Sequence, residues 1–497
     1  MSIVQGVSPG SDARRTRKPP GPAWTLILAS IGAFIAALDI VVVSTALPTL
    51  QTHLHANLAD LEWTINAYNL AFACLMLTGS ALGDRFGRRR IYALGLLLFA
   101  AASCACAVSN TGNELIFARV IEGAGAAAIM PLTLTLISDV FPAEKRAAAI
   151  GIWGGVTGLG VSTGPVVGGA LIQYLSWQWI FWINVPIGVA VAALAMRKMR
   201  ESHGPRPQLD LAGLVLVAAG MFGLTWAAVR APSVGWGSAE VTASLVGGVA
   251  FVALFVAWER RARYPMVPMA YFRSRGFTTA NGVIFFQFMS MIGMLFMLTQ
   301  LLQVGMGFTA FGAGVRILAW MATPMFVAPI AGKLAERFGT KPFMVLGELM
   351  AGIGLIWLVL VIHTGVSYTS LIAPLIFQGI GSAMVFPTAP AAVTMAVPPA
   401  DAGVASGVNS ALRELGAVFG VAIVAAVFAH NGGGYATRAL FIHGWKPAMY
   451  VAAIMAGFGF VSAILAPGKA AVARTLAKYQ PAVAAASEGR ETAHEVA

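Results

Sequence analysis

Apolar residues in this chain gather into blocks of about 20 positions without a charge, the length that crosses a bilayer as an α-helix. Fourteen such blocks occur, at about 23–47, 63–82, 91–108, 115–137, 148–172, 179–196, 211–229, 241–258, 277–299, 310–331, 342–362, 371–394, 403–428 and 448–466. The polar connections between them average about 13 residues, which leaves no room for a large soluble domain. The pattern predicts an all-α polytopic membrane protein with fourteen transmembrane helices.

A repeat organises these spans. Leu82-Gly83-Asp84-Arg85-Phe86-Gly87-Arg88-Arg89 recurs as Leu334-Ala335-Glu336-Arg337-Phe338-Gly339-Thr340-Lys341. Gly123-Ala124-Gly125 followed by Pro131 recurs as Gly379-Ile380-Gly381 followed by Pro387. The two offsets are 252 and 256 residues, nearly the same, which indicates a duplicated six-helix unit. The expected organisation is a tail at 1–22, a six-helix bundle at 23–199, a two-helix insert at 200–276, a second six-helix bundle at 277–466 and a tail at 467–497. Parallel halves of this kind place a transport pathway at their interface.

Composition agrees: 58% of the 497 residues are hydrophobic and only 10% charged, against about 25% charged in soluble domains. The net charge of +12 invites a nucleic-acid reading, but its distribution opposes one. With the spans above, 26 of the 32 basic residues fall on the side that holds both tails. Only Arg230, Arg438 and Lys446 fall on the other, and Arg119, Arg316 and Arg413 fall within spans. This is the positive-inside pattern, so both termini are expected in the cytoplasm, with an uncleaved N-terminal tail. Cys74, Cys104 and Cys106 all lie in apolar blocks, which argues against a disulfide framework or a structural metal. No Gly-x-x-x-x-Gly-Lys-Ser/Thr loop is present to drive pumping with ATP, and no cluster suggests an enzyme or a cofactor.

Charges inside apolar spans carry the mechanism, because each one needs a partner, a cavity or a proton. Asp39 in the first span and Glu122 in the fourth lie at similar depth, roughly 12–13 Å from the outer end at 1.5 Å per residue. Arg119 and Glu122, at i and i+3, share one helix face. A guanidinium that approaches or leaves a buried carboxylate switches its proton affinity, so Asp39, Arg119 and Glu122 are the proton-coupling candidates. Arg413 and Glu414, about 100° apart on their helix, are expected to find partners elsewhere or to line a polar cavity. Arg316 is expected to snorkel. Glu348 and Asp139 read as residues of the membrane interface. Trp63, Tyr68 and Trp177 to Trp182 read as partly interfacial belt residues. Phe285, Phe288 and Met289 follow helical spacing, and with Asn66, Gln287, Asp39, Arg413 and Glu414 they are the candidate substrate cavity: many apolar and polarizable surfaces, few polar ones.

At the basic end, Asp84 among Arg85 and Arg88, repeated at Glu336 and Arg337, suits a latch of charge-assisted bonds that breaks and reforms as the halves move. In the fifth span, Gly160, Gly164, Pro165, Gly168 and Gly169 permit close helix approach and a bend, expected at the seam between the halves.

These motifs resemble those of the major facilitator superfamily. The 80–90 loop resembles its signature, and Gly160-Val161-Ser162-Thr163-Gly164-Pro165-Val166-Val167-Gly168-Gly169 looks like its antiporter motif. Trp177-Gln178-Trp179-Ile180-Phe181-Trp182-Ile183-Asn184-Val185-Pro186, Leu38-Asp39 through Pro48, and Asn409-Ser410-Ala411-Leu412-Arg413 resemble the fourteen-helix drug:proton antiporters of the EmrB/QacA type. Ser80 departs from the family's usual glycine, and Glu122 and Glu414 stand where glutamine is common. The resemblance implies the major facilitator fold, six plus two plus six helices, in a bacterial inner membrane. It implies export of lipophilic, including cationic, drugs in exchange for protons by alternating access, with Asp39 and Arg119 in proton-linked roles. Membrane lipids are the surroundings, and a periplasmic adaptor protein is a partner the resemblance admits. A narrow-specificity metabolite exporter or nutrient symporter of the same fold is the alternative.

Overall fold

The computed structural model describes residues 21–54, 58–204, 210–263, 265–398, 401–433 and 437–474. The expected tails lie largely outside them. The first part of the chain forms α1 (Pro22–His53), α2 (Leu58–Phe86), α3 (Arg88–Ala107), α4 (Gly112–Val140), α5 (Ala143–Tyr174), α6 (Trp179–Trp182) and α7 (Asn184–Lys198). Two further helices, α8 (Leu211–Val234) and α9 (Ala239–Glu259), precede α10 (Arg275–Gln300), α11 (Ala310–Met321), α12 (Thr323–Phe338) and α13 (Lys341–Val361). The described chain ends in α14 (Thr369–Met395), α15 (Ala402–His430) and α16 (Arg438–Leu465). Fourteen of the resulting apolar rods are long enough to span a membrane, α6 with α7 and α11 with α12 each counting as one.

The elements follow the sequence pattern, with three departures. α1 runs on through Pro48 to His53. The sixth span starts as one short turn before Asn184, and the tenth breaks at Ala322, where Thr323 begins the second segment and Pro324, just after it, lacks a backbone donor. A π-turn over Leu301–Gly305 closes α10. The duplicated motif makes the same turn twice: Gly87 and Gly339 adopt φ of 107° and 87° between successive helices. A side chain is strained in that conformation, so glycine is the residue that allows the chain to reverse at both positions.

One hydrophobic core draws on residues between Val283 and Ala466; two others draw mainly on residues between Leu28 and Met199. A fourth core joins Val217, Met221 and Phe255 of the α8–α9 pair to Ala73 and Leu77 of α2 and to Ala405 and Val408 of α15. The insert therefore covers the line where α2 meets α15.

At the end that carries residues 83–90, the elements close upon one another. Ser80 Oγ donates to Gly403 O (2.8 Å), and Ser406 Oγ donates to Pro131 O (2.9 Å). α5 meets α12 through glycines: a Cβ on Gly151 would lie 2.9 Å from Ala328 O, and one on Gly158 would lie 3.4 Å from Pro324 Cβ.

Candidate functional site

The first four spans and the sixth place three charges together in the apolar interior. Asp39 of α1, Arg119 and Glu122 of α4 are each at most 1% exposed. Arg119 Nη1 donates to Asp39 Oδ2 (2.5 Å) and to Glu122 Oε2 (2.7 Å), while its Nε donates to Thr64 O (3.1 Å). The i, i+3 spacing puts both on one helix face, from which Arg119 reaches Asp39 of α1 and Glu122 reaches Ser103 and Cys106 of α3. Close packing holds the geometry: Gly123, the next residue, presses on the backbone of Tyr68, where any side chain would collide with the Tyr68 carbonyl. The Arg119 guanidinium lies over the Tyr68 ring, 4.2 Å from its centre, and 6.0 Å from that of Phe181.

Neutral polar groups complete the site. Asn184, the first residue of α7, donates from Nδ2 to Asp39 Oδ1 (3.1 Å) and to Ser103 Oγ (3.3 Å). Ser103 donates a short hydrogen bond to Glu122, and Cys106 Sγ lies 3.4 Å from Glu122 Oε2. Two carboxyls and one guanidinium thus occupy a site sealed from solvent. With both acids ionised it holds one excess negative charge, and with one added proton it is neutral.

The fold brings Asp39, Arg119 and Glu122 together, and it moves Tyr68 away from the expected membrane surface. This residue is fully buried beneath Arg119, not at the membrane surface. Ser103 and Cys106 were legible only as polar or sulfur-bearing positions of an apolar span.

The second charged pair corrects the expectation for Arg413 and Glu414. Arg413 Nε and Nη2 lie 3.1 and 3.0 Å from Glu414 Oε1. Adjacent Cα–Cβ vectors diverge, yet both side chains are long enough to curl back to each other. Arg413 also lies over Phe288 of α10, 5.5 Å from the ring centre, and Phe288 packs against Phe386 of α14.

The other cavity candidates divide. Phe285 and Met289 offer their backbone to close packing with Gly416 and Gly420 of α15. Asn66 is half-buried on α2. Gln287 meets Glu348 of α13 and Ser382 of α14. Glu348 is not an interface residue: it is 1% exposed inside the second core, because seven residues from Lys341 at 1.5 Å each carry it about 10 Å inward. Arg316 lies over Phe308, 3.6 Å from the ring centre, and donates to Gly312 O (3.0 Å).

At the basic end, Arg88 binds two acids at once: its Nε donates to Asp84 Oδ1 (2.7 Å) and its Nη1 to Asp139 Oδ1 (2.7 Å). Asp84 also borders Gly403 at the start of α15. The strand of chain after α7 locks onto this turn. Glu201 accepts from Arg89 N (2.9 Å), Ser202 Oγ donates to Asp139 Oδ2 (2.6 Å) and Gly204 N donates to Asp84 O (2.8 Å). Asp139, Glu201 and Ser202 were not legible as members of this cluster. Arg85 stays outside it, over the Phe86 ring, and Arg337 repeats that arrangement over Phe338. Glu336 makes no ion pair among the described residues.

The glycines of α5 also depart from expectation. Gly160 and Gly164 pack on Phe34, Leu38 and Val41 of α1, within the same part of the chain, and α5 remains one helix through 160–169. The seam is made instead by Gly151, Gly155 and Gly158. Gly168 is buried and Gly169 half-buried; the Pro165 side chain lies outside the described residues.

Comparison with known proteins places this geometry. The family model described as Major Facilitator Superfamily matches residues 29–317 and 280–490. The chain is 34% identical over 418 residues to the tetracenomycin C resistance and export protein of Streptomyces glaucescens, covering 83% of this chain and 77% of that one. It is 32% identical to the methylenomycin A resistance protein of Bacillus subtilis, covering 81% and 86%. It is 31% identical to the multidrug efflux pump LfrA of Mycolicibacterium smegmatis, covering 83% and 82%. Among solved structures, the human organic anion transporter MFSD10 superposes with a TM-score of 0.63 at 16% identity, over 90% of this chain and all of that one. The proton:xylose symporter XylE also gives 0.63, at 15% identity, over 89% and 94%.

Proposed function

This chain belongs to the major facilitator superfamily, and from that premise we propose that it exports lipophilic, drug-like compounds across a bacterial cytoplasmic membrane in exchange for protons. The observation that carries the coupling is the sharing of one guanidinium by two buried carboxyls, Asp39 and Glu122. Such a site holds one proton in its neutral state and releases it when Arg119 moves fully onto Asp39 or when the pathway admits water. Asp39 is the proton carrier in this reading, Arg119 modulates it, and Glu122 balances the arginine.

The substrate path runs between the bundles 23–199 and 277–466, past Tyr68, Phe288, Arg413 and Glu414. The basic end faces the cytoplasm, following the charge asymmetry, and the conformation described has that side closed. Asp84, Arg88 and Asp139 hold it closed. One charge crossing 100 mV carries about 2.3 kcal/mol, enough for a substantial gradient of a neutral compound.

A dedicated exporter of one metabolite is the second reading, favoured by relatives that are named for single antibiotics. A panel of lipophilic cations, neutral antibiotics and sugars, added to inverted vesicles with an acidic interior and a pH dye, separates the two. Proton release by several lipophilic compounds supports the broad reading, release by one compound supports the narrow one, and release by none refutes both.

A further inference from the structure

Glu348 takes no part in the mechanism above, yet it is buried as deeply as Asp39. Its surroundings are neutral on every side. Gln287 reaches it from α10, Ser382 stands behind Gln287 on α14, and Gly459 of α16 packs so closely that an added Cβ would lie 2.7 Å from the carboxyl carbon. None of these groups is charged or titratable. On its own helix the neighbouring charge is Lys341, two turns away at the basic end. Among the described residues no ion pair forms with Glu348, which is 1% exposed. An ionised carboxylate in that position has nothing to balance it.

The Gln287 amide has two ways to meet this carboxyl. With its nitrogen turned toward Glu348, it donates to both oxygens (3.2 and 3.1 Å) while its oxygen accepts from Ser382 Oγ (2.8 Å). The opposite turn sets the amide oxygen against Glu348, an arrangement satisfied only when the carboxyl carries the proton and donates it. The relay continues: Gln378 Nε2 donates to Ser382 Oγ (3.0 Å), and Trp320 Nε1 donates to Gln378. Trp320 lies two residues before the α11–α12 break, whose Pro324 packs on Gly155 and Gly158 of α5.

A cavity also approaches this site from the basic end. Its volume is about 480 Å³, and it opens among α10, α13, α14 and α16, with Arg275, Lys341, Met344, Ala280 and Met395 in its wall. Met344 is one helical turn before Glu348, and Ala280 is two turns before Gln287.

We propose that Glu348 is a second proton-binding site, separate from the Asp39 cluster, filled from the basic end and read by the orientation of Gln287. The bound proton comes from bulk water through the cavity. Protonated, Glu348 donates to the Gln287 oxygen, and the amide nitrogen turns to Ser382. Deprotonated, it accepts from the amide nitrogen, and Ser382 reverses with it. The reversal ends at Ser382: Trp320 Nε1 can only donate, so Gln378 keeps its oxygen on Trp320 and its nitrogen on Ser382 in both states, which holds Ser382 in place next to the helix break. This site stands on its own geometry and needs no substrate, so its failure and that of the export reading are separate.

The test is difference infrared spectroscopy of the purified full-length protein without substrate, comparing wild type with Glu348→Gln and Gln287→Leu in light and heavy water. The expected result is an un-ionised carboxyl band in wild type that shifts in heavy water, is lost in Glu348→Gln and moves in Gln287→Leu. Raising the pH should remove the same band. A wild-type spectrum in which Glu348→Gln removes only an ionised carboxylate band, or no carboxyl band, overturns the proposal. Gln287→Leu leaves the carboxyl in place, so an unmoved band in that variant, even if Glu348→Gln fails to fold, overturns the relay.

Discussion

The guanidinium of Arg119 lies 4.2 Å from the centre of the Tyr68 ring while its Nη1 holds Asp39 and Glu122. The ring supports the arginine from the side that carries no acid. A buried cation over an aromatic face gains about 2 kcal/mol. Tyr68→Phe keeps the ring and should transport much as wild type. Tyr68→Leu should lower exchange by roughly an order of magnitude, measured as drug-driven proton release. Equal rates for the two variants would show that the ring does not support Arg119.

Removing Arg119 leaves two carboxyls buried without a counter-charge. Breaking a buried ion pair in this way costs about 3–5 kcal/mol. Arg119→Ala should melt well below wild type in detergent and lose coupled export. Glu122→Gln leaves Asp39 alone with Arg119, a pair already neutral without a proton, and should weaken coupling. Coupling unchanged in Glu122→Gln would show that sharing the guanidinium between two carboxyls is not what carries the proton.

Ser80 ties α2 to α15 through Gly403. One such bond contributes about 1 kcal/mol, a roughly fivefold change in a two-state equilibrium. Ser80→Gly should therefore enlarge the population open at the basic end several-fold, read from spin-label distances between α2 and α15. An unchanged distance distribution would show that this bond does not set the equilibrium.

Gly151 meets Ala328 where no side chain fits. Gly151→Val should hold the basic end open, so that substrate still binds while turnover is lost. Asp84→Ala is milder, since Arg88 keeps Asp139. It should slow exchange several-fold with substrate affinity nearly unchanged, and full turnover in this variant would remove the latch from the cycle.

The sequence shows the fourteen spans and the Asp39–Arg119–Glu122 group because a charge within an apolar block is conspicuous and helical spacing sets its face. Tertiary packing hides the rest. Asp139, Glu201 and Ser202 reach Arg88 and Arg89 only after the chain beyond α7 folds back. The α5 glycines at 160 and 164 serve α1 rather than the seam because helical phase alone does not name the neighbour a face will meet. Arg413 and Glu414 pair despite their angular separation because side-chain length outweighs Cα–Cβ direction. Glu348 reads from sequence as an interface residue, yet its distance from the span end, about two turns, already places it within the core.

The central claim is that Asp39 carries the exchanged proton, and purified protein in proteoliposomes tests it most directly. Wild type and Asp39→Asn are compared for two activities: drug accumulation driven by a proton gradient, and drug-for-drug counterflow without one. The account predicts that Asp39→Asn keeps counterflow and loses proton-driven accumulation. Proton-driven accumulation that survives in Asp39→Asn would contradict it.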